Sequence, residues 1–325
     1  MKKFEDYLTR RIDKNKSYHN LLEFPKYIEI ETVNACNARC PMCTINDWER
    51  NYPLMKDNVW DKISDDVISN KELIKRVSLY RDGEPLIDKK MGKRINKLYR
   101  NGIKNTSIAT NVALLNEKKA TEILEAGLGM IIFSIDSLDK AIYESIRVRL
   151  KFEEVRDNAI NFLRLRDKIN PECRVWIRMI RQENNYNEWD EYYKFWRQYA
   201  SDVDRIYYHN IFNWGGQLEK YKSVSKSFEP NLPCVALWSL MVVFANGDVP
   251  LCNVDYNNKF PTGSIMKNSL RELWQSKILE SRRHLHLSGN KKDISICSNC
   301  NVWDEVKGEE IISPEFAEKV SILNK

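Results

Sequence analysis

Three thiols fall within eight residues in "CNARCPMC", at Cys36, Cys40 and Cys43. A structural zinc ion asks for four closed ligands, and this stretch supplies three. A [4Fe–4S] cluster can take three thiolates on three of its irons and leave the fourth open to a substrate or cofactor. An open iron of that kind acts as a Lewis acid and can pass an electron to whatever it binds. A second set, Cys234, Cys252, Cys297 and Cys300, lies in the C-terminal part and ends in "CSNC". Four thiolates suit one fully capped cluster or a zinc site. A capped cluster does not readily bind substrate at iron, so its expected work is outer-sphere electron transfer. Cys173 is left over and reads as a buried structural cysteine.

The elements that must position these thiols follow from periodicity. Short runs rich in β-branched and aromatic residues, at 27–33, 76–80, 106–110, 130–136, 174–180 and 205–211, have strand length. Amphipathic stretches lie between them, such as "NEKKATEILEAG", which opens on a capping Asn116 and stops at Gly127. Six strand–helix units in series imply a parallel sheet, either doubly wound or a partial barrel. In both, chemistry belongs to loops at the carboxyl ends of strands. The triad sits in such a loop, after the first strand. After about residue 222 the pattern changes: a polar stretch at 221–233 reads as a linker, then come an apolar run with an "NGD" turn and a helix around "SLRELWQSKILESRR".

At 325 residues, with 42% hydrophobic and 30% charged residues, the composition is that of a globular protein with a real core. No apolar run approaches the roughly 20 residues a membrane span needs. The start, "MKKFEDYLTRRIDKNKSYHN", lacks an apolar signal-peptide core, so a cytoplasmic location is expected, where clustered cysteines hold metal rather than disulfides. The net charge of +6 is scattered, which argues against a nucleic-acid partner.

The spacing C-x3-C-x2-C after a first strand resembles the signature of the radical S-adenosylmethionine (SAM) superfamily. "YRDGEPLI" (80–87) resembles that family's Gly-Gly-Glu-Pro motif, with Gly83 and Glu84 matching and Asp82 standing where the first Gly usually is. "IATNVALL" resembles its Thr-Asn-Gly segment, with Asn111 matching and Val112 replacing Gly. "FSID" (133–136) resembles the fourth strand, and "YESIRVRLKFEEV" a segment that carries an arginine, here Arg147. The resemblance implies that Cys36, Cys40 and Cys43 hold a cluster whose open iron takes SAM. It further implies that Glu84 meets the SAM ammonium, that Ser134 and Arg147 lie at its carboxylate, and that Met42 rests against adenine. The C-terminal part resembles the SPASM/twitch extension, implying a second [4Fe–4S] cluster on Cys234, Cys252, Cys297 and Cys300.

The resemblance thus implies a partial (βα)6 TIM-like barrel at 25–222, after an N-terminal extension at 1–24, with a small cysteine-rich domain at 223–325. It implies an enzyme that cleaves SAM reductively and abstracts a hydrogen atom from a substrate carbon, fed by an electron donor such as flavodoxin or ferredoxin. The single auxiliary cluster is similar to that of aminoglycoside-pathway dehydrogenases and epimerases, so a small sugar- or cyclitol-like substrate is expected. A peptide maturase or epimerase, or a non-enzymatic iron–sulfur or zinc scaffold, is the alternative. Arg178, at the carboxyl end of the fifth strand, is expected to clamp substrate, with Arg181 beside it. Asp255, three past Cys252, is a candidate base. His284 and His286 in "HLHL" are expected as surface or packing residues.

Overall fold

The computed structural model describes residues 2–211, 213–218, 232–298 and 300. Its strands in chain order are β1 (Tyr27–Ile30), β2 (Arg76–Ser78), β3 (Thr106–Thr110), β4 (Met130–Ser134), β5 (Arg174–Arg181), β6 (Arg205–Asn210), β7 (Leu240–Val243), β8 (Asp248–Val249) and β9 (Gly263–Ser264). The chain divides into two compact units.

One unit comprises Ile30–Met55 and Arg76–His209. Its strands run in the order β6-β5-β4-β3-β2. The pairings β2–β3, β3–β4 and β4–β5 are parallel, with Ser107 opposite Met130 and Ser134 opposite Arg178. β4 is buried at every position, as a strand covered on both faces must be. Met130 and Ile132 share one face with Trp176 and Tyr207, and these four form an inner core. Phe133 points the other way and meets Phe162 edge to face at 5.5 Å. Phe162 belongs to the helix Phe152–Ile169, which buries Val155, Ala159, Phe162 and Leu163 along one stripe. At the amino ends of the strands, fully buried Arg166 pairs with Asp204 at 2.6 Å and donates to the Cys173 carbonyl at 2.7 Å. Cys173 is 0% exposed there, immediately before β5.

Local signals hold in detail. Asn116 caps the helix Glu117–Glu125 by accepting the Lys119 N–H at 3.0 Å. Gly127 then turns the chain at φ +88°, where a Cβ would strike the Tyr99 ring.

The other unit gathers the described residues of Met1–Glu29, Lys56–Lys75 and Asn210–Lys325. Here β7 lies beside β1. The helices Lys2–Ile12 and Tyr18–Glu23 belong with it: Trp238 donates to the Tyr18 hydroxyl at 2.9 Å, and Trp274 to the Leu21 carbonyl at 3.1 Å. The "NGD" turn is present, with Gly247 at φ +90°. The expected single helix near residue 275 is two, Leu270–Trp274 and Lys277–Leu287. Ser276 restarts it as an N-cap, accepting the Leu279 N–H at 3.3 Å. Residues 221–231 of the expected linker lie outside the described residues. Among the described residues no helix is long and apolar enough to cross a membrane.

Candidate active site and metal centres

The ends of β2 and β3 meet the cysteine loop through backbone contacts that leave no spare room. A Cβ on Gly83 would lie 2.3 Å from the Val33 carbonyl oxygen and 2.7 Å from that of Ala35, so only glycine fits. The Glu84 N–H donates to the Ala35 carbonyl at 2.9 Å, one residue before Cys36. The Glu84 carboxylate accepts from Thr110 Oγ1 (2.8 Å), the Leu86 N–H (3.0 Å) and the Asn111 N–H (2.9 Å). Asn111 in turn donates to Asn37 at 2.8 Å, with Cys36 Sγ at 3.8 Å from the same amide. Burial pushes the Glu84 carboxyl up to about 7, although these three donors pull it the other way.

The ends of β4 and β5 supply the cationic side. Arg147, just past the helix Lys140–Ile146, donates from Nε to Asp136 Oδ2 at 2.7 Å and sets Nη1 3.8 Å from Cys40 Sγ. Its Nη2 is buried without a partner among the described residues, as is the Tyr143 hydroxyl. Asp136 is itself fixed, accepting from the Ile180 N–H at 2.8 Å, while its carbonyl takes Asn185 Nδ2 at 2.7 Å. Arg178 donates to Ser134 Oγ at 2.7 Å. Met42 is buried, 5% exposed, between Cys40 and Cys43. Arg181 does not join Arg178: three positions apart on a strand, they leave on opposite faces. Its guanidinium is instead sandwiched over the Tyr186 and Tyr208 rings, at 4.2 and 3.9 Å.

Two positions depart from the family pattern. Asp82 has a carboxylate where the motif has glycine, and it is met by Arg81 at 3.1 Å and Arg50 at 3.3 Å. Arg50 also grips buried Glu31 through both amino groups, at 2.6 and 2.7 Å. Val112, in place of glycine, sits at φ +71°, the left-handed region that a β-branched residue enters only under strain.

Sequence reasoning passed over Asp136, Asn37, Tyr143 and the Glu31–Arg50–Asp82 group. Asp136 closes "FSID", and a charge ending an apolar strand was the available signal. The others depend on residues far apart in the chain and had none.

The second set of thiols lies in the other unit. Cys252, Cys297 and Cys300 all act on Cys234, whose thiol is pushed well up, first by burial and then by these neighbours. Asp255 is not placed as a base. It is 0% exposed, and its carboxylate accepts the N–H groups of Lys259 (2.7 Å), Phe260 (3.0 Å) and Leu251 (3.4 Å), so it staples the loop carrying Cys252. His284 is exposed, but His286 is 2% exposed and its Nδ1 accepts the Cys234 N–H at 3.1 Å. Burial holds its imidazole down at about 3.

Both sets suit thiolate–iron bonding. Ala38 N–H lies 3.4 Å from Cys36 Sγ, and Ile45, Ala236 and Val254 donate likewise to Cys43, Cys234 and Cys252. The N–H two residues on thus serves four of the seven sulfurs. Burial pushes Cys36 up to about 11 and Cys43 and Cys252 up to about 12, so binding iron must expel protons. Among the described residues no group of three or more His, Cys, Asp or Glu side chains is arranged to hold a metal ion. The buried Arg147 Nη2, without a partner among the described residues, and the buried Glu84 carboxylate suit a bound zwitterion beside the triad.

Residues 30–195 match the radical SAM superfamily, and residues 234–301 match the SPASM iron–sulfur cluster-binding domain. The chain belongs to the radical SAM superfamily, with the α/β partial-barrel fold of that class and a C-terminal SPASM domain. The S-adenosyl-L-methionine-dependent 2-deoxy-scyllo-inosamine dehydrogenase of Niallia circulans is 22% identical over 283 residues, 84% of this chain and 92% of that protein. The tungsten-containing aldehyde ferredoxin oxidoreductase cofactor-modifying protein of Pyrococcus furiosus is 31% identical over 116 residues, 36% of this chain and about a third (32%) of that protein. BtrN solved with AdoMet and 2-DOIA has a similar fold, with TM-score 0.58 at 20% identity over 85% of this chain and 93% of that one. So does Streptococcus suis SuiB bound to its precursor peptide SuiA, with TM-score 0.62 at 17% identity over 93% of this chain and 74% of that one. Membership implies iron–sulfur clusters and SAM.

Proposed function

We propose that this radical SAM enzyme dehydrogenates a small sugar- or cyclitol-like substrate, using a SAM-binding cluster on Cys36, Cys40 and Cys43 and a capped second one on Cys234, Cys252, Cys297 and Cys300. The observation that carries the SAM site is that Asn111 joins Glu84 to Cys36 at successive strand ends, while Arg147 lies 3.8 Å from Cys40 of the same triad. When bound, SAM and the reduced cluster supply a 5′-deoxyadenosyl radical that takes a hydrogen atom from carbon. Glu84 would receive the ammonium of SAM, on the carboxylate oxygen that carries only the Asn111 N–H. Arg147, its Nε held by Asp136, would offer Nη2 to the carboxylate, and Met42 would rest against adenine. Arg178, steadied by Ser134, orients substrate oxygen atoms with its remaining donors.

Oxidation rather than epimerisation is supported by the place of Cys173. Epimerisation needs a hydrogen donor almost touching the substrate carbon, and a thiol is the usual one. Cys173 is buried before β5, whose eight residues put it roughly 25 Å from the strand's far end. The cyclitol reading is supported by likeness to the Niallia dehydrogenase along nearly its whole length. An external one-electron donor such as flavodoxin or ferredoxin completes the system.

The test is anaerobic incubation of the reduced protein with SAM and 2-deoxy-scyllo-inosamine or related aminocyclitols. One 5′-deoxyadenosine per ketone formed is expected. Absence of SAM cleavage would make the chain a scaffold. Cleavage stimulated only by peptides would make it a maturase.

A further inference from the structure

His286 lies in the helix Lys277–Leu287 and gives one atom to a cysteine arm. Its Nδ1 accepts the Cys234 N–H at 3.1 Å, so the ring is neutral on that side and its hydrogen sits on Nε2. Nε2 is buried without a hydrogen-bond partner among the described residues. The ring packs edge to face on Trp238 at 6.4 Å. Phenylalanine would fill such a site without a stranded donor. The used atom is therefore the acceptor, Nδ1.

Cys234 needs an anchor of this kind. Two residues earlier, the Leu232 carbonyl accepts from Lys291 Nζ at 3.2 Å. The Cys234 sulfur takes the Ala236 N–H, while its own N–H is withdrawn from the thiols by His286. The Cys252 arm is built in parallel, with Asp255 in the part that His286 plays here. Each of these two arms is held by one buried polar side chain.

We propose that His286 is a positioning residue for the second iron–sulfur cluster: by accepting the Cys234 N–H it fixes the direction of that thiolate and lowers the cluster's reduction potential. This rests on the reading that the four C-terminal thiols hold a cluster. The physical basis is that N–H dipoles and hydrogen bonds near thiolate sulfur tune Fe–S potentials, and that groups orienting ligands govern metal retention. The imidazole lone pair is a negative end close to the thiolate. Removing it makes the surroundings more positive and favours the reduced cluster.

The experiment uses the full chain in a C36A/C40A/C43A background, so that only the second cluster remains. H286F keeps the ring on Trp238 and removes the acceptor; H286N keeps an acceptor near the Nδ1 position and removes the ring. Iron release to a chelator and the midpoint potential of the EPR-monitored cluster are read. For H286F, release about 10- to 100-fold faster and an upward midpoint shift are expected, with H286N close to the parent. Unchanged release and midpoint in H286F, or H286N behaving like H286F, would overturn the proposal. If H286F does not fold, H286L, which also removes the acceptor, takes its place with the same two readouts: faster release and a raised midpoint support the role, and parental values overturn it. If the parent holds zinc, the cluster reading falls, and zinc release from the same variants still decides whether His286 secures Cys234.

Discussion

Asp136 and Arg147 form a buried pair, Oδ2 to Nε at 2.7 Å, that ties the end of β4 to the residue closing the next helix. The pair aims Arg147 past Cys40 with one amino group still unpartnered among the described residues. Replacing Arg147 by Ala removes a charge-assisted contact to SAM, worth about 1.5–3 kcal/mol. SAM affinity should fall about ten- to a hundredfold while iron content stays at the wild-type level. Asp136→Ala leaves Arg147 buried without its counter-charge and should lower stability by about 3–5 kcal/mol. Calorimetric SAM titration and urea unfolding separate the two effects. Wild-type affinity in R147A would remove Arg147 from the SAM site.

SAM binding should strengthen as pH rises through about 7, because burial raises the Glu84 carboxyl to about that value and its ammonium partner needs the charged form. The stability of the SAM-free protein should move oppositely. The folded state holds this proton up to about 7 while the unfolded chain releases it near the ordinary carboxyl value, so stability falls as pH rises across that window. Glu84→Gln should flatten both profiles. A binding curve that is flat through neutrality in the wild type would reject the assignment.

Gly83→Ala should abolish the N-terminal cluster and leave the second intact. The new methyl group meets two backbone carbonyls, of Val33 and Ala35, which cannot swing aside as a side-chain end can. Displacing Ala35 displaces Cys36. Iron content and SAM cleavage in purified G83A are the readout.

At Val112 the usual order of core substitutions should invert. The residue is 0% exposed, so truncation loses packing whichever small residue replaces it. Its φ of +71° costs alanine about 1–2 kcal/mol and costs glycine almost nothing. V112G should therefore unfold at higher urea concentration than V112A.

Anaerobically isolated protein should hold two [4Fe–4S] clusters, about eight irons per chain. The triple variant C36A/C40A/C43A should hold about four and cleave no SAM. Because burial raises the thiols of Cys36, Cys43 and Cys252, cluster assembly releases protons and should go faster as pH rises. Zinc without iron in the triple variant would show that the C-terminal thiols form a zinc site.

Periodicity and spacing carried the reading far. The strand–helix alternation, the Asn116 cap, the Gly127 stop and the Cys36–Cys40–Cys43 triad are all local features, each set within a turn or a loop of its neighbours. Such features depend on few residues close in the chain, and for that reason they can be read there. The period-2 rule was also available to separate Arg178 from Arg181, since it sends neighbours three apart to opposite faces, yet the two were expected side by side. What stayed hidden was every choice between partners distant in sequence. Asp255 looks equally like a base or a staple until three backbone N–H groups are seen to close on it. His286 looks like packing until the Cys234 N–H, 52 residues away in the chain, arrives at its Nδ1. Asp82 looks like a broken motif until Arg50, 32 residues earlier, is found to compensate it. A buried polar group takes its role from whichever donor or acceptor the folded chain brings to it, because leaving it unpaired is costly. Residue types and spacing determined which chemistry the chain can host; only the tertiary structure decided which polar side chains hold the thiols and which are held themselves.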